Sequence, residues 1–262
     1  MRKLIFLSLL FLLSCSVVPM TGRKQLVAIP SSQMISLSSE SYSQVLAEGK
    51  LSTNEYYVST VRKVGERLTA AVESYLQQNN MESATAGYTW EYNVLVSEEL
   101  NAWCMPGGQI AFYEGIMPVC QDENGIAVVM GHEIAHAVAK HGNERMSQQL
   151  AIQMGGIALS EAVKTQKQET IDLAMLAFGV GAQVGVMLPY SRTHESEADE
   201  LGLYFMAMAG YNPQTAPAFW ERMSEKSGSR PPEFLSTHPD PSNRIEDLKR
   251  NMPKAMEYYN AR

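Results

Sequence analysis

Two histidines lie four residues apart in the segment His132-Glu133-Ile134-Ala135-His136. On a helix, residues at this spacing face the same way, so both imidazoles can bind one Zn²⁺ ion. Glu133 follows the first histidine and lies beside the ion without ligating it, where it can act as a general base on water. The flanking residues are apolar, and buried His and Glu side chains need partners that a metal supplies. The pattern predicts a catalytic zinc site.

A catalytic zinc needs a third protein ligand, and the downstream acids supply candidates. Glu195 and Asp199 are four apart and share a helix face. Glu195 can reach the metal, and Asp199 can then accept a hydrogen bond from the distal nitrogen of a ligating histidine and fix its tautomer. Glu197 is predicted to point away. Spacing alone fits equally well a solvated acidic helix start that the helix dipole stabilises.

The whole set resembles metallopeptidase family forty-eight, gluzincins that include CAAX prenyl proteases and HtpX-like quality-control proteases. The likeness is greatest to LoiP/BepA-like periplasmic bacterial members. That family pairs a His-Glu-x-x-His helix with a Ser-Arg-x-x-Glu-x-x-Ala-Asp segment, here residues 191–199, so the resemblance implies Glu195 as the third ligand. It also covers residues 101–110 and His238-Pro239 with Arg244, and extends over about residues 21–248. Trp103 departs from the aromatic residue that many relatives carry.

The resemblance implies an α+β, mostly α-helical, zincin-like fold with a small antiparallel sheet, whose edge strand lies beside the metal helix. An extended peptide can add to such an edge through backbone hydrogen bonds. The residues predicted to form this substrate platform are Gly107, Gly108, Gln109, Ile110 and Ala111. The alternative is a plain turn before a core strand.

The other histidines have less certain roles. His238 can stabilise the oxyanion that forms on a scissile carbonyl, or can ligate the metal in a resting state; the alternative is a histidine on a surface loop. His141 is expected either behind a metal ligand or at the surface. His194 is expected at the surface.

Hydrophobic patterning predicts the elements that position these residues. Strands are predicted at 89–96 and 109–113, and a strong helix at 124–145 carries the first two metal ligands. Helical spacing is also predicted at 41–79, at 150–188 with a break near 165–168, and from about 194 to 209. The apolar, Gly-rich stretch 173–188 is shorter than a usual membrane span and contains Gln183. We expect it to form a packed hairpin or a lid; the alternative is insertion into a membrane.

The N-terminus reads as an export signal. Arg2 and Lys3 precede an apolar run that is too short for a stable span and that ends at Cys15. This ending resembles a lipobox, which predicts a signal peptide at 1–14, lipid attachment to Cys15, a tether at 15–40 and a peptidase domain at 41–262. An ordinary signal peptide with an incidental cysteine is the alternative. Cys104 and Cys120 can pair in an oxidising compartment or stay as buried thiols.

Composition limits the possible functions. The chain has 45% apolar and 19% charged residues, which is ordinary for a globular protein. Its net charge of -7 argues against a nucleic-acid partner, because phosphate binding needs a basic face. The resemblance implies a zinc endopeptidase of the bacterial envelope, expected at the outer membrane, that degrades unfolded or misassembled envelope proteins. The rival reading is a chaperone-like binding protein with a latent metal site.

Overall fold

The computed structural model describes residues 15–226, 234, 238 and 243–261, so the predicted signal peptide lies outside it. The strands are β1 Cys15–Val17, β2 Lys24–Leu26, β3 Glu91–Leu95, β4 Ala102–Cys104 and β5 Gln109–Tyr113. The helices are α1 Ser31–Glu48, α2 Glu55–Gln78, α3 Met117–Cys120, α4 Glu123–Val138, α5 His141–Val163, α6 Gln168–Ala182, α7 Leu188–Met208, α8 Ala216–Glu225 and α9 Arg244–Asn260. A π-helical segment, Gln183–Met187, joins α6 to α7. The predicted α+β, mostly helical class is confirmed.

The larger sheet has the strand order β3–β5–β4. Since β3 runs parallel to β5 and β4 runs antiparallel to it, the sheet is mixed rather than antiparallel. The predicted edge strand is wrong, because Gln109, Ile110 and Ala111 lie in the central strand and bond to neighbours on both sides. Gly107 and Gly108 form the turn before it, with φ of 113° and 94°, which L side chains rarely adopt. The edge strand that packs on the metal helix is β4.

Helix α4 is the buried element that carries the His-Glu-x-x-His segment. It begins where the side chain of Asp122 accepts a hydrogen bond from the backbone N–H of Gly125 at 2.9 Å. Nearly all of its residues are buried, because its apolar side chains surround the whole helix. It ends at Val138 rather than near 145, since Lys140 adopts a left-handed φ of 58° and α5 starts at His141.

Helices α4 and α7 cross at a pair of glycines, which brings the two halves of the predicted metal site together. A Cβ atom on Gly202 would lie 2.7 Å from the backbone nitrogen of His132, and one on Gly131 would lie 2.8 Å from the carbonyl oxygen of Gly202. Such close backbone approach requires residues without side chains. The crossing therefore fixes the distance between His132 and the acidic residues of α7.

The segment predicted as a tether, residues 15–40, is folded onto the domain. It contains the β1–β2 hairpin and the start of α1. The backbone N–H of Ala28 donates to the hydroxyl of Ser147 at 2.9 Å, and the side chain of Asn143 donates to the carbonyl of Ile29 at 2.8 Å. The Ser- and Pro-rich composition of the segment predicts a linker. The structure differs because these hydrogen bonds join the segment to residues more than a hundred positions away, which its own composition does not show.

Helices α5 and α6 form a hairpin, and the predicted break near 165–168 lies between them. Phe178 packs against Gly155 and Gly156. A packed hairpin was one of the expectations for this region, but its apolar side chains are not buried. Ile157, Leu173 and Leu176 are 66–70% exposed. The continuous helix Gln168–Met208 is long and apolar enough to cross a membrane, and none of its most apolar window is buried.

Candidate metal centre

Four donor side chains converge at one point between α4 and α7. His132 and His136 extend from one face of α4, Glu195 comes from α7, and His238 follows α8 in the chain. The Nε2 atoms of His132 and His136 are 3.1 Å apart, and Glu195 oxygens lie 3.3 and 3.5 Å from them. The three ligands expected from the sequence are thus brought together.

His238 completes the group as a fourth donor. Its Nδ1 atom lies 3.3 Å from Nε2 of His132 and 3.2 Å from Oε2 of Glu195. Its backbone N–H donates to the carbonyl of Phe234, and the two rings stack with centroids 4.6 Å apart. Phe234 is fully buried and bonds through its own N–H to Leu100. His238 is therefore held inside the site rather than on a surface loop.

The spacing of these donors fits a tetrahedral zinc ion. Bonds of about 2.0–2.1 Å from zinc to its ligands place the ligand atoms of a tetrahedron about 3.3–3.4 Å apart. The observed separations of 3.1–3.5 Å match this edge length. Three imidazoles and one carboxylate are also the donor types that zinc prefers. The described residues therefore fit a zinc ion.

Glu133 is the buried acid beside these donors. Only 3% of its surface is exposed, and its Oε1 atom has no hydrogen-bond partner among the described residues. The Nε2 atom of His238 lies 3.6 Å from this oxygen. Burial raises the pKa of the carboxyl group, while His238, His132 and the backbone N–H of Cys104 oppose this effect. A carboxylate with a free oxygen and a raised pKa is suited to take up and release a proton.

Asp199 and Arg244 hold the ligands in place. Nδ1 of His132 lies 2.9 Å from Asp199, so the protonated Nδ1 donates to the carboxylate and leaves Nε2 free for the metal. Arg244 donates to Asp199 at 2.7 Å and to Glu195 at 3.3 Å, and its guanidinium group stacks on Trp220. The predicted role of Asp199 thus has the required geometry, and Arg244 is a buried structural partner of both acids.

The electrostatics of the cluster favour a cation. Burial lowers the pKa of His132, but Asp199 and Glu195 outweigh burial and raise it to about 10. Burial raises the pKa of Glu195, but His136, His132 and His238 together hold it well below its ordinary value. Glu195 therefore stays ionised and stabilises positive charge at this point, which a divalent ion provides.

A second chain of contacts supports His136, and sequence reasoning missed most of it. Nδ1 of His136 lies 2.8 Å from Nδ1 of His141, whose Nε2 lies 2.9 Å from Glu197. Burial lowers the pKa of His141 to about 4, so it is neutral and can accept the proton of His136 while donating to Glu197. The position five residues after His136 was the only signal in the sequence.

Arg23 joins this chain to the N-terminal segment. It forms a bidentate ion pair with Glu144, at 2.8 and 3.1 Å, and donates to Glu197 at 2.9 Å. His194 is 5% exposed and bonds to Glu144 at 2.8 Å, so its predicted surface position is wrong. Glu197 does point away from the metal donors, as expected, but it is buried rather than solvated.

The edge strand beside the site is β4 instead of residues 107–111. Asn101 and Met105 bond towards β5. By the alternation of antiparallel pairs, Ala102 and Cys104 therefore point their backbone groups away from the sheet. The N–H of Cys104 bonds to Glu133, which ties the strand to the predicted base. Cys104 and Cys120 are both free thiols, so the pairing left open by the sequence does not form.

Comparison with known proteins identifies related chains. The sequence model described as Peptidase family M48 matches residues 63–252. The mitochondrial metalloendopeptidase OMA1 of Schizosaccharomyces pombe is 30% identical over 91% of this chain and 66% of its own length. The Saccharomyces cerevisiae protein of that name is 34% identical over 66% of this chain and 50% of its own length. The β-barrel assembly-enhancing protease of Escherichia coli is 27% identical over 61% of this chain and 34% of its own length.

Two facts follow from these relatives. The chain spans two thirds or less of the length of each of them. The expected location, a periplasm-facing lipoprotein of the bacterial outer membrane, is contradicted, because both yeast relatives are mitochondrial by name.

Proposed function

The chain belongs to peptidase family M48 and is a metallopeptidase, and on that premise we propose that it is a zinc-dependent endopeptidase. The observation that carries this proposal is the tetrahedral spacing of His132, His136, Glu195 and His238, with the unpaired carboxylate oxygen of Glu133 beside them. A structural zinc site has no need of a buried acid next to its ligands. The family implies protein substrates, and we propose unfolded or misassembled polypeptides.

His132, His136 and Glu195 would hold the zinc ion. When bound, zinc supplies Lewis-acid chemistry, which polarises a peptide carbonyl and makes hydroxide available near neutral pH. Asp199 keeps His132 in the tautomer that ligates through Nε2. Arg244 holds the carboxylates of Asp199 and Glu195 in position.

Glu133 would move the protons of the reaction. Its carboxylate accepts a proton from the attacking water and then donates it to the leaving amine. Burial raises the pKa of this carboxyl group, which favours its holding the proton between the two transfers. The Cys104 N–H fixes the Glu133 side chain beside the edge of β4, where the outward carbonyl of Cys104 can bind an extended substrate as an added strand.

His238 would occupy the fourth donor position while no substrate is bound. Its Nδ1 atom already lies at ligand spacing from His132 and Glu195. This closed set of four donors is also the observation that favours the second candidate function, a chaperone-like binding protein with a latent metal site. The two functions differ in whether the zinc-loaded protein cuts what it binds.

The test compares zinc-loaded wild type with Glu133→Gln on a fluorescently labelled unfolded protein. We expect the substitution to reduce the cleavage rate by at least about 1,000-fold, because the general base is lost while the ligands remain. Zinc content, measured by mass spectrometry, should stay near one ion per chain. Cleavage that is equal in both proteins would refute the mechanism, and binding without cleavage by wild type would favour the chaperone-like function.

His238→Ala separates the two roles proposed for this histidine. If His238 blocks the fourth position, the substitution raises kcat/KM. If instead it stabilises the oxyanion, kcat falls by about 100-fold while zinc content is unchanged. The zinc content of each variant controls for loss of the metal.

Lipid attachment at Cys15 is a separate proposal. It is supported by Arg2, Lys3 and the apolar run that ends at this cysteine. Mass spectrometry of the mature N-terminus tests it, and an unmodified Cys15 or cleavage elsewhere would refute it.

A further inference from the structure

A cleft of about 220 Å³ opens beside the metal donors. Glu133, His136 and His238 lie at one part of its wall, and Lys140 and Arg145 lie at another. Most of the remaining wall is apolar and includes Met34 of α1, Tyr88, Trp103 and Met105. A peptide that reaches Glu133 therefore also meets apolar side chains and two cations.

Lys140 lines the same cleft as the base, at the turn that follows α4. Glu133, His136 and Ala137 share one face of the helix, and Lys140 lies two residues beyond its end, where its backbone N–H still bonds to the carbonyl of Ala137 at 3.1 Å. At about 1.5 Å per residue, the chain between Glu133 and Lys140 advances roughly 10 Å along the helix axis. An extended peptide advances about 3.3 Å per residue, so this distance spans about three residues of substrate.

Lys140 is a half-buried cation without an acid. Its ammonium group donates to the hydroxyl of Ser31 at 3.3 Å, and within the described ranges no carboxylate lies at ion-pair distance. By contrast, Arg23 pairs with Glu144 and Arg244 pairs with Asp199. Burial lowers the pKa of Lys140, because no anion offsets the loss of hydration. A carboxylate entering the cleft would supply the missing partner.

We propose that Lys140 is a specificity residue that binds a carboxylate of the substrate within about three residues of the scissile bond. The substrate class is a polypeptide with an apolar segment followed or preceded by Asp or Glu, or one that ends there in its C-terminal carboxylate. The inference rests on the proposed endopeptidase function. The net charge of -7 cannot produce this preference, since the overall field repels acidic peptides.

Cleavage assays provide the first test. Fluorogenic peptides carry Glu at successive positions around the scissile bond, each matched by a Gln peptide, and one pair differs only in a free or amidated C-terminus. We expect zinc-loaded wild type to prefer the best carboxylate peptide by about tenfold in kcat/KM. Lys140→Met should abolish the preference, Lys140→Arg should keep it, and Lys140→Glu should shift it to a Lys peptide. Lys167→Met, at an exposed lysine before α6, should behave as wild type.

Binding assays keep the proposal testable without turnover. Fluorescence anisotropy with zinc-loaded Glu133→Gln protein should show tighter binding of the carboxylate peptide than of its neutral match, and adding Lys140→Met should remove the difference. If no variant cleaves but this difference persists, the endopeptidase function fails and the carboxylate site stands. The inference would be overturned if both peptides of every matched pair gave equal kcat/KM and equal affinity. A preference for the carboxylate peptide that survives Lys140→Met would also overturn it.

Discussion

The crossing of α4 and α7 predicts a specific sensitivity of the metal site. In Gly202→Ala, the new methyl group would lie 2.7 Å from the backbone nitrogen of His132 and 2.9 Å from the backbone of Gly131. Ordinary contact begins at 3.4 Å, so the helices must separate by about 0.7 Å. The atoms that the new methyl group would meet belong to the backbone of Gly131 and His132, so the contact cannot be relieved by rotating a side chain.

The magnitude follows from two opposing effects. Overpacking of this kind destabilises a protein by about 1–3 kcal/mol, and replacing glycine by alanine within a helix returns about 1 kcal/mol. A net loss of about 0–2 kcal/mol remains, which lowers Tm by up to about 4–8 °C in a domain of this size. The larger effect is expected at the site, because His132 moves relative to Glu195. A misplacement approaching 1 Å reduces catalysis by about 100-fold.

The assay measures Tm by circular dichroism, zinc affinity by chelator competition and kcat/KM on an unfolded protein. The matched control is Gly181→Ala, because a Cβ atom there has no atom within 4 Å. The control should keep full activity and the same or a slightly higher Tm. A Gly202→Ala protein with wild-type zinc affinity and Tm would refute the view that this crossing sets the spacing of the ligands.

Two further predictions concern the residues around the ligands. Asp199→Asn should weaken zinc binding by about 10–100-fold in chelator competition, because His132 loses the carboxylate that fixes its tautomer; unchanged affinity would contradict this role. His194 and Arg23 outweigh burial and hold the pKa of Glu144 at about 2, below its ordinary value of 4.5. The ionised carboxylate of Glu144 therefore stabilises the folded state fully above about pH 4.5, and this stabilisation is lost as the pH falls towards 2. In urea titrations, Glu144→Gln should unfold more easily than wild type at pH 6, and the difference should shrink by pH 3; a constant difference would exclude this ion pair as its source.

Local patterns determined the chemistry of this protein. The spacing of His132 and His136 places both on one helix face in any fold that keeps the helix, and Glu133 follows from its position between them. The same argument holds for Glu195 and Asp199 on α7. The strand Gln109–Tyr113 was also predictable, because its residue types favour β structure and a glycine turn precedes it.

Tertiary structure decided what surrounds that chemistry. No local pattern shows that Gln109–Tyr113 is central and Ala102–Cys104 is the edge, since strand order depends on pairing between distant segments. Arg23 reaches Glu144 and Glu197 across more than a hundred residues. The left-handed residue Lys140 turns the chain between α4 and α5, so His141 reaches His136 and the ammonium group borders the cleft. Helix periodicity is local, so the sequence alone paired His132 with His136, placed Glu133 beside them and set Glu195 and Asp199 on one helix face. Their support and their substrate surface required the fold, because those contacts are long-range.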